Sequence, residues 1–441
     1  MNAYRDLRVA LLGCGSVGAQ VARLIIEQGD ELAARIGARL TLTGIAVRSL
    51  DAKRDVELPQ ELFTTDAETL VLGADIVVEL MGGIEPARTL ILRALEGGAD
   101  VVTANKALIA THGPELADTA EQVGAQLSYE AAVAGAIPII RPLRESLAGD
   151  RITRVLGIVN GSTNYILDRM DRFGDSAEDA MRVASELGYL EADPTLDVEG
   201  YDAAQKATIL ASIAFHTEVP VESVHREGIT GVTGEQIEAA KHAGYVIKLL
   251  AIAERLTAAD GTSGVSARVY PALIGRDHPL AAVHGGKNAV FVEAEAAGEL
   301  MFYGAGAGGV ETASAVLGDL VSAARRHVVG GPGIPGSAHA DLPLLPIGEV
   351  TTSYQIMLRV RDEPGVLAAI AGILAEHGVS AASVEQTVAQ GAEGDAEAAT
   401  AALVIGTHRA READLAATVE ALRESAAVTA VMSVLRLEGD S

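Results

Sequence analysis

The chain has few residues of several types, and each shortage excludes a class of protein. Among its 441 residues there is one cysteine, Cys14, which excludes an internal disulfide and a multi-cysteine metal site. Lysine and arginine total 34 against 60 acidic residues, a net charge of −26, so nucleic acid and anionic membranes are poor partners. No apolar run approaches the roughly 18 residues of a membrane span, and no signal-peptide pattern opens the chain. We therefore expect a cytoplasmic enzyme or regulator.

The order of strand and helix patterns predicts several domains. Up to residue 140, apolar strands alternate with helices, which predicts an α/β domain with a Rossmann-type doubly wound parallel sheet. We place it at 1–140 and expect a helix over 309–328 to complete it. An α+β domain follows at 141–308, then a Gly- and Pro-rich linker at 329–350. Residues 351–441 predict a small unit of ββαββαβ or βαββαβ order.

Within the second domain, the local patterns predict strands over 151–167 and 264–274, a helix over 234–256 and a hairpin over 286–309. In the last unit, the stretch 390–399 is expected to be a hairpin loop.

A glycine-rich turn follows the first apolar strand. Gly13, Gly15 and Gly18 have the spacing of the dinucleotide fingerprint, and a helical pattern continues from them. In that motif the first glycine permits the turn, the second admits the pyrophosphate and the third lets the helix pack on the strand. With Ser16 and Val17 they predict a dinucleotide site, the alternative being a purely structural turn.

The end of the second strand bears on the choice of cofactor. An acidic residue there would bind the ribose 2′-hydroxyl of NAD(H), but this chain has Arg48, followed by Lys53 and Arg54. Basic residues suit a 2′-phosphate, so NADP(H) is favoured and NAD(H) remains possible. The alternative is a solvated Arg48 and a mixed preference.

The segment 188–206, GYLEADPTLDVEGYDAAQK, is the strongest candidate for chemistry. Its second half predicts the start of a helix, so Asp202 and Lys206 share one face. A carboxylate beside an ammonium can bind a polar substrate and move a proton, although a surface ion pair is the commoner case. The apolar continuation ATILASIAF indicates a buried helix and favours a cleft.

Over nearly its whole length the chain resembles homoserine dehydrogenase of the form that carries a C-terminal ACT domain, a ferredoxin-like module. The segment 188–206 and YEAAVAGAIPII at 129–140 are the specific parts. The supporting segments are GCGSVG (13–18), VVTANKAL (101–108), VNGSTNYIL (159–167), FYGAGAGG (302–309), TASAVLGDL (312–320) and DEPGVLAAI (362–370). The resemblance implies reversible reduction of L-aspartate 4-semialdehyde to L-homoserine by NAD(P)H, in threonine, methionine and isoleucine biosynthesis. Residues 141–308 would bind substrate and dimerise.

The resemblance also implies roles for individual residues. Lys206 would be the acid/base, Asp202 would orient the substrate, and Lys106 would lie where cofactor and substrate meet. Glu191, with Gly188, would hold the substrate's amino group or hydroxyl end. Further candidates are Asp197 for the substrate and Gly188 and Gly306 for the cofactor. The run NGSTN, 160–164, either contacts the nicotinamide or forms a strand-end turn and helix cap.

A monovalent cation site is implied in the stretch 130–137. Glu130 would supply a carboxylate, and Val133, Gly135 and Ile137 backbone carbonyls, to Na⁺ or K⁺. The alternative is an ordinary connector between domains.

The C-terminal unit, 353–437, resembles an ACT domain that binds an amino acid. Asp362 would take the ammonium, and the backbone near Gly365 the carboxylate, of an effector for which L-threonine is the family's usual choice. The alternative is a unit used only for dimerisation. We expect a homodimer or homotetramer, and a chain cut near residue 348 to keep activity while it loses threonine inhibition.

Two other functions remain open on the sequence: a dinucleotide oxidoreductase for another amino-acid-like carbonyl, and a non-enzymatic amino-acid sensor. The cluster of Lys206, Asp202 and Glu191 disfavours the sensor. Thioester chemistry like that of aspartate-semialdehyde dehydrogenase is disfavoured because it needs a catalytic cysteine downstream of the Rossmann strands. Cys14, in the glycine turn, is expected to be a small packing residue.

Overall fold

The computed structural model describes residues 4–54, 56–190, 193–331, 338–388 and 400–439. Within these ranges the strands form two sheets, one parallel with six strands and one mixed with eleven. No helix in the described part of the chain is long and apolar enough to cross a membrane.

The first sheet has the Rossmann order β3-β2-β1-β4-β5-β6, and all its pairs are parallel. Its elements are β1 (Arg5–Leu12), α1 (Ser16–Glu27), α2 (Gly29–Ile36), β2 (Ala38–Ala46), β3 (Phe63–Thr64), α3 (Ala67–Leu72), β4 (Ile76–Glu79), α4 (Ala87–Glu96), β5 (Asp100–Thr103), α5 (Lys106–Val123) and β6 (Leu127–Ser128). Strands β4 and β5 are buried throughout and β1 is buried from Val9 to Leu12, as expected of a parallel sheet covered on both faces. The predicted doubly wound fold is confirmed.

The second domain follows. Its elements are β7 (Ile152–Ile158), α6 (Gly161–Phe173), α7 (Ala177–Glu186), α8 (Thr195–Val198), α9 (Tyr201–Phe215), β8 (His225–Arg226), α10 (Gly234–His242), β9 (Tyr245–Thr257), β10 (Ser263–Gly275), β11 (Lys287–Ala294), β12 (Gly298–Ala305) and α11 (Gly309–Val329). The hairpin of β11 and β12 is as predicted. Helix α11 returns to pack beside α1 of the first domain.

Two local predictions in this domain are wrong. The expected helix over 234–256 ends at His242, and β9 begins at Tyr245 after Gly244, whose φ of +83° stops the helix. The apolar run VIKLLAIA is buried from both sides in the middle of the sheet, so its burial pattern cannot distinguish strand from helix. The expected strand over 151–167 ends at Ile158 because Asn160 caps a helix there.

Apart from one two-residue strand, the C-terminal unit has the order βαββαβ. It comprises β13 (Thr351–Arg361), α12 (Val366–Glu376), β14 (Ala381–Val388), β15 (Thr400–Thr407), β16 (Ala410–Arg411), α13 (Glu412–Glu424) and β17 (Val428–Glu438). The strand order β17-β13-β15-β14, antiparallel throughout, is ferredoxin-like. The loop expected at 390–399 lies outside the described residues.

This unit is continuous with the second domain. Strand β17 pairs in parallel with β10, and one sheet therefore runs β12-β11-β7-β9-β10-β17-β13-β15-β14. Part of the expected linker is also packed: Val265 N donates to Pro343 O at 2.9 Å and Leu345 N donates to Val265 O at 2.8 Å. Residues 338–350 of the expected linker are thus a strap hydrogen-bonded to the second domain.

Charged side chains are buried where the two units meet. Glu438 of β17 forms an ion pair with Arg154 of β7 and accepts a hydrogen bond of 2.6 Å from the Tyr270 hydroxyl of β10. Arg268, only 1% exposed, lies beside them. Removal of one partner from such a cluster leaves a buried charge unpaired, so the C-terminal strand contributes to the stability of the second domain.

Candidate active site

Three charged side chains from two helices converge where the Rossmann sheet meets the second domain. Lys106 is the first residue of α5, after β5, and Asp202 and Lys206 lie in the first two turns of α9. The Nζ atom of Lys106 is 2.9 Å from one carboxylate oxygen of Asp202, and Nζ of Lys206 is 2.7 Å from the other. The structure therefore joins the predicted pair to a lysine of the other domain.

The pair on α9 is buried. Asp202 is 8% and Lys206 9% exposed, and the Lys206 ammonium also donates to the Val159 carbonyl at 2.6 Å. The geometry excludes the alternative of a solvated surface ion pair. It holds the ammonium at a fixed point beside the end of β7.

The charge of Asp202 follows from its neighbours. Burial by itself would raise the pKa of this carboxyl, but the ammonium groups of Lys206 and Lys106, with hydrogen bonds from Lys206 and Asn160, hold the pKa below its ordinary value. Asp202 is ionised at neutral pH, and each of its oxygens bonds to one lysine.

Asn160 is a site residue whose role the sequence left open. It follows β7, and its Oδ1 caps α6 by accepting from Thr163 N at 2.9 Å. Its Nδ2 donates to Asp202 at 2.9 Å and to Asp197 at 2.7 Å, which brings Asp197 into the cluster. Burial, and then the Asp202 charge, raise the pKa of Asp197, whereas the Asn160 hydrogen bond lowers it.

The segment after α7 lies against the same cap. Gly188 has φ of +78°, and the next residue, Tyr189, accepts a 2.6 Å hydrogen bond from the Ser162 hydroxyl through its carbonyl. Ser162 is in the first turn of α6, next to Asn160. Glu191, expected to bind substrate, lies outside the described residues.

The glycine turn meets the steric demands of the fingerprint. Gly13 has φ of +99°, and a Cβ on it would lie 2.7 Å from the Leu80 carbonyl. A Cβ on Gly18 would overlap the Gly13 carbonyl, whereas one on Gly15 would have nothing within 4 Å. Helix α1 has no side-chain cap at its N-terminus, so the backbone N–H groups from Ser16 onward suit a phosphate.

A cavity of about 330 Å³ adjoins this turn. Gly15, Ser16, Lys53, Arg54 and the start of α11 at Gly309 are among its lining residues. Basic side chains beside a helix N-terminus suit a dinucleotide phosphate, so the residues present fit the cofactor that the fingerprint implies.

The basic residues near β2 differ in their surroundings. Arg48 is exposed just beyond the end of β2 and is not among the residues that line the cavity. The Arg54 guanidinium stacks 4.2 Å from the centre of the Phe63 ring and donates to the carbonyls of its own loop, including Ser49 at 2.9 Å. Arg54 therefore shapes this loop, and Lys53 beside it faces the cavity.

Gly306 has a packing reason to be glycine. A Cβ on it would overlap the Asn288 side chain, and its carbonyl lies against Gly135. The return of α11 to the cofactor turn depends on Gly309, where a Cβ would lie 2.9 Å from the Ser16 carbonyl.

The Glu130 carboxylate, which the resemblance implies as a cation ligand, accepts hydrogen bonds from the chain itself. One oxygen accepts from the backbone N–H groups of Ile139 and Ile140, at 2.5 and 2.7 Å, and the other accepts from Arg141 N and Nε, at 3.0 and 3.1 Å. Four donors fill its acceptor sites. The carboxylate therefore organises the connection between the domains.

The residues expected to hold an effector lie together at the start of α12. Gly365 caps the helix with φ of +96°, and α12 has no side-chain cap. Asp362, exposed three residues earlier, accepts a 3.4 Å hydrogen bond from Gln386 of β14.

Comparison with known proteins assigns all three parts of the chain. The family model for homoserine dehydrogenase matches residues 138–321, the model for the homoserine dehydrogenase NAD binding domain matches residues 13–130, and the ACT domain model matches residues 354–427. The cluster of Asp202 and Lys206 on α9 falls within the first of these matches.

Relatives of known sequence and structure agree. The homoserine dehydrogenases of Corynebacterium glutamicum and Mycobacterium tuberculosis are 53% and 55% identical to this chain, over 98% and 99% of it and 96% and 98% of their own lengths. The crystal structure of a homoserine dehydrogenase from Thiobacillus denitrificans has a TM-score of 0.89 at 38% identity and covers 98% of each chain. A hyperthermophilic archaeal homoserine dehydrogenase in complex with NADPH matches 75% of this chain and 99% of its own, at 30% identity and a TM-score of 0.60. The chain belongs to the homoserine dehydrogenase family, and it is an oxidoreductase with a C-terminal ACT domain.

Proposed function

We propose that the chain catalyses the reversible, NADP-linked reduction of L-aspartate 4-semialdehyde to L-homoserine in threonine, methionine and isoleucine biosynthesis. The observation that carries this proposal is the cluster in which the half-exposed Lys106 meets the buried pair of Asp202 and Lys206. It lies at the junction of a dinucleotide-binding domain and a second domain, where cofactor and substrate can meet.

The chemistry asks for a proton donor beside a carbonyl oxygen. A bound nicotinamide supplies the hydride, and negative charge develops on the oxygen of the aldehyde. The Lys206 ammonium, held by Val159 O and Asp202, stabilises that charge and gives the oxygen a proton. In the reverse direction it receives the proton. Lys106, whose side chain is 42% exposed, keeps Asp202 in place from the cofactor side.

We propose that carboxylates of the same cluster orient the substrate. The two oxygens of Asp202 are bonded to lysines, which leaves Asp197 as the described carboxylate best placed for the substrate ammonium. Burial raises the pKa of Asp197. The positive charge of a bound substrate ammonium would lower that pKa and favour the ionised carboxylate. Glu191 and Gly188 remain candidates for the other contacts of the substrate.

The preference for NADP(H) rests on charge. Lys53 and Arg54 line the cavity at the glycine turn and Arg48 stands at the end of β2. The archaeal relative crystallised with NADPH supports the same choice. For the monovalent cation, Na⁺ or K⁺, we propose the backbone carbonyls of Val133, Gly135 and Ile137 as ligands.

Regulation is proposed for the ACT domain. The N-terminus of α12 offers backbone N–H groups to the carboxylate of an amino acid, and Asp362 offers a partner for its ammonium. L-Threonine is the proposed effector, in a homodimer or homotetramer. The apolar residues exposed on α12, among them Leu367 at 48%, support pairing of ACT domains.

A rate comparison tests the proposed reaction. Purified enzyme is given NADPH and either L-aspartate 4-semialdehyde or L-glutamate 5-semialdehyde, which is one methylene longer, and the oxidation of NADPH is followed. We expect the shorter substrate to be preferred by at least about tenfold in kcat/KM. Preference for the longer aldehyde would indicate an oxidoreductase for another carbonyl, and absence of turnover with any aldehyde would favour a sensor.

A further inference from the structure

The amide of Asn160 occupies a special position in the catalytic cluster. Its Nδ2 has two hydrogens, and it bonds two different carboxylates, Asp197 at 2.7 Å and Asp202 at 2.9 Å. These carboxylates come from different elements, α8 and α9. Asn160 itself comes from the end of β7 and is 6% exposed.

The orientation of this amide is determined by its other end. Oδ1 accepts from Thr163 N and from the Thr163 hydroxyl, both at 2.9 Å. Because the oxygen is bound to the first turn of α6, the nitrogen must point toward the carboxylates. The adjacent Val159 carbonyl holds Lys206, so two consecutive residues at the end of β7 position both members of the pair on α9.

We propose that Asn160 is a positioning residue of the reaction: it separates Asp197 from Asp202, so that Asp202 serves the two lysines while Asp197 stays available to the substrate. This inference rests on the proposed function. A neutral donor between two carboxylates satisfies an acceptor on each without the cost of a third buried charge.

The ionisable groups around the amide limit the expected pH effect. Among the described residues these are Asp197 on α8, Asp202 and Lys206 on α9, and Lys106 on α5. The pKa of Asp202 is low because both lysines favour its charge. Asp197 is the group whose pKa burial raises, and the Asn160 hydrogen bond opposes that rise. Loss of the amide donor therefore raises the pKa of Asp197 further.

Two substitutions separate this role from helix capping. Asn160→Asp and Asn160→Ser both retain a good N-cap for α6, but neither keeps the amide nitrogen. We expect each to lower kcat/KM for L-homoserine oxidation by roughly 10- to 100-fold, the size of one hydrogen bond to a charged group. Part of that loss should be a rise in the KM for homoserine.

The pH dependence of kcat/KM distinguishes a positioning role from a purely structural one, because a purely structural role of Asn160 would not shift it. We expect the acidic limb of kcat/KM to shift upward in Asn160→Ser, and by about one pH unit or more in Asn160→Asp, which adds a third carboxyl to the cluster. The control is Asp66→Asn, an exchange in the opposite sense at the exposed N-cap of α3, where Asp66 accepts from Thr69 N. That variant should keep the wild-type rate and profile.

Each result has a definite meaning. Wild-type rates in both Asn160 variants, or lowered rates with an unshifted profile, overturn the positioning role. Melting temperatures are measured alongside. If Asn160→Ser melts at a much lower temperature than the wild type, the rate and pH profile of the isosteric Asn160→Asp variant decide the test. Failure of the wild-type enzyme to oxidise L-homoserine would overturn the proposed function and the positioning role with it, and the same assay shows that first.

Discussion

At the scale of single residues, the site depends on which ammonium holds the transferable proton. The Lys206 ammonium has two hydrogen-bonded anchors, Val159 O and Asp202, and its side chain is 11% exposed, whereas the side chain of Lys106, which pairs with Asp202, is 42% exposed. A fixed position relative to the reacting oxygen favours Lys206 as acid and base.

We expect Lys206→Ala to lower kcat by roughly 10²- to 10⁴-fold, the usual size of a general acid/base contribution. The KM should change less, because the lost interaction acts mainly in the transition state. Steady-state kinetics with L-homoserine measures both values, and Lys241→Ala, on the exposed face of α10, is the matched control. Near-native turnover in Lys206→Ala would remove this lysine from the mechanism.

Cofactor preference is also decided by single side chains. Arg48→Ala should weaken NADPH binding by about 1.5–3 kcal/mol, typical of a hydrogen bond to a charged group, and leave NADH almost unchanged. Titration of the fluorescence of the reduced cofactor gives both affinities. Lys53→Ala is measured in parallel because Lys53 lines the cavity at the glycine turn. Equal losses for both cofactors in Arg48→Ala would show that Arg48 does not recognise the 2′-phosphate.

At the scale of elements, β9 carries an unusual buried group. Lys248 is 0% exposed, and its ammonium donates to Asn164 Oδ1 at 3.0 Å and to Val283 O at 2.7 Å. Burial lowers its pKa to about 8 from an ordinary 10.5, and the charges of Asp168 and Asp171 oppose this only in part. The aliphatic part of the Lys248 side chain packs within the buried sheet, and two oxygen acceptors bind its ammonium group.

The consequence is a pH-dependent stability. Between pH 8 and 10.5 the unfolded chain keeps the proton on Lys248 that the folded chain has lost, so the free energy of unfolding rises with pH. The gain approaches about 3 kcal/mol at the upper end of the window. Denaturant titrations of wild type and Lys248→Met across this range isolate the effect as their difference. A difference that is constant with pH would contradict it.

At the scale of the whole molecule, the ACT domain and the second domain share one sheet. This alters the expectation that a chain cut near residue 348 is a working enzyme. Loss of β17 removes Glu438, the buried partner of Arg154 and Arg268, and exposes the edge of β10; we expect a cost comparable to that of breaking a buried ion pair, roughly 3–5 kcal/mol. We expect the shortened chain to melt well below the full-length protein, measured by circular dichroism.

A point substitution in the full chain provides the control for that prediction. Glu438→Gln should lower the melting temperature in the same direction but by less, whereas Glu424→Gln, exposed on α13, should change stability by no more than about 0.5 kcal/mol. A truncated chain that melts within a few degrees of the full-length protein would show that the two units are independent.

Regulation is therefore tested in the full-length enzyme. Asp362→Ala should reduce inhibition by millimolar L-threonine and leave the uninhibited rate unchanged, because Asp362 is exposed at the start of α12 in the ACT domain. The measurement is the concentration of threonine that halves the rate. A wild-type enzyme indifferent to millimolar threonine would favour an ACT domain that only mediates pairing.

The sequence by itself determined the local parts of this protein. Short-range rules suffice for the glycine turn at Gly13–Gly18 and for the i,i+4 pair Asp202 and Lys206, and they narrow the last unit to two orders, ββαββαβ and βαββαβ. Each depends on residues within one or two elements, where steric limits and helix periodicity apply directly.

Only the tertiary structure decided which residues that lie far apart in the chain come into contact. Lys106 meets Asp202 only because two domains pack together, and Asn160 joins Asp197 to Asp202 only because β7 ends between α8 and α9. The apolar run of β9 fits a helix as well as a strand, because burial on both faces removes the periodicity that distinguishes a strand from a helix. The pairing of β10 with β17 depends on backbone hydrogen bonds across more than one hundred residues, which no local pattern encodes.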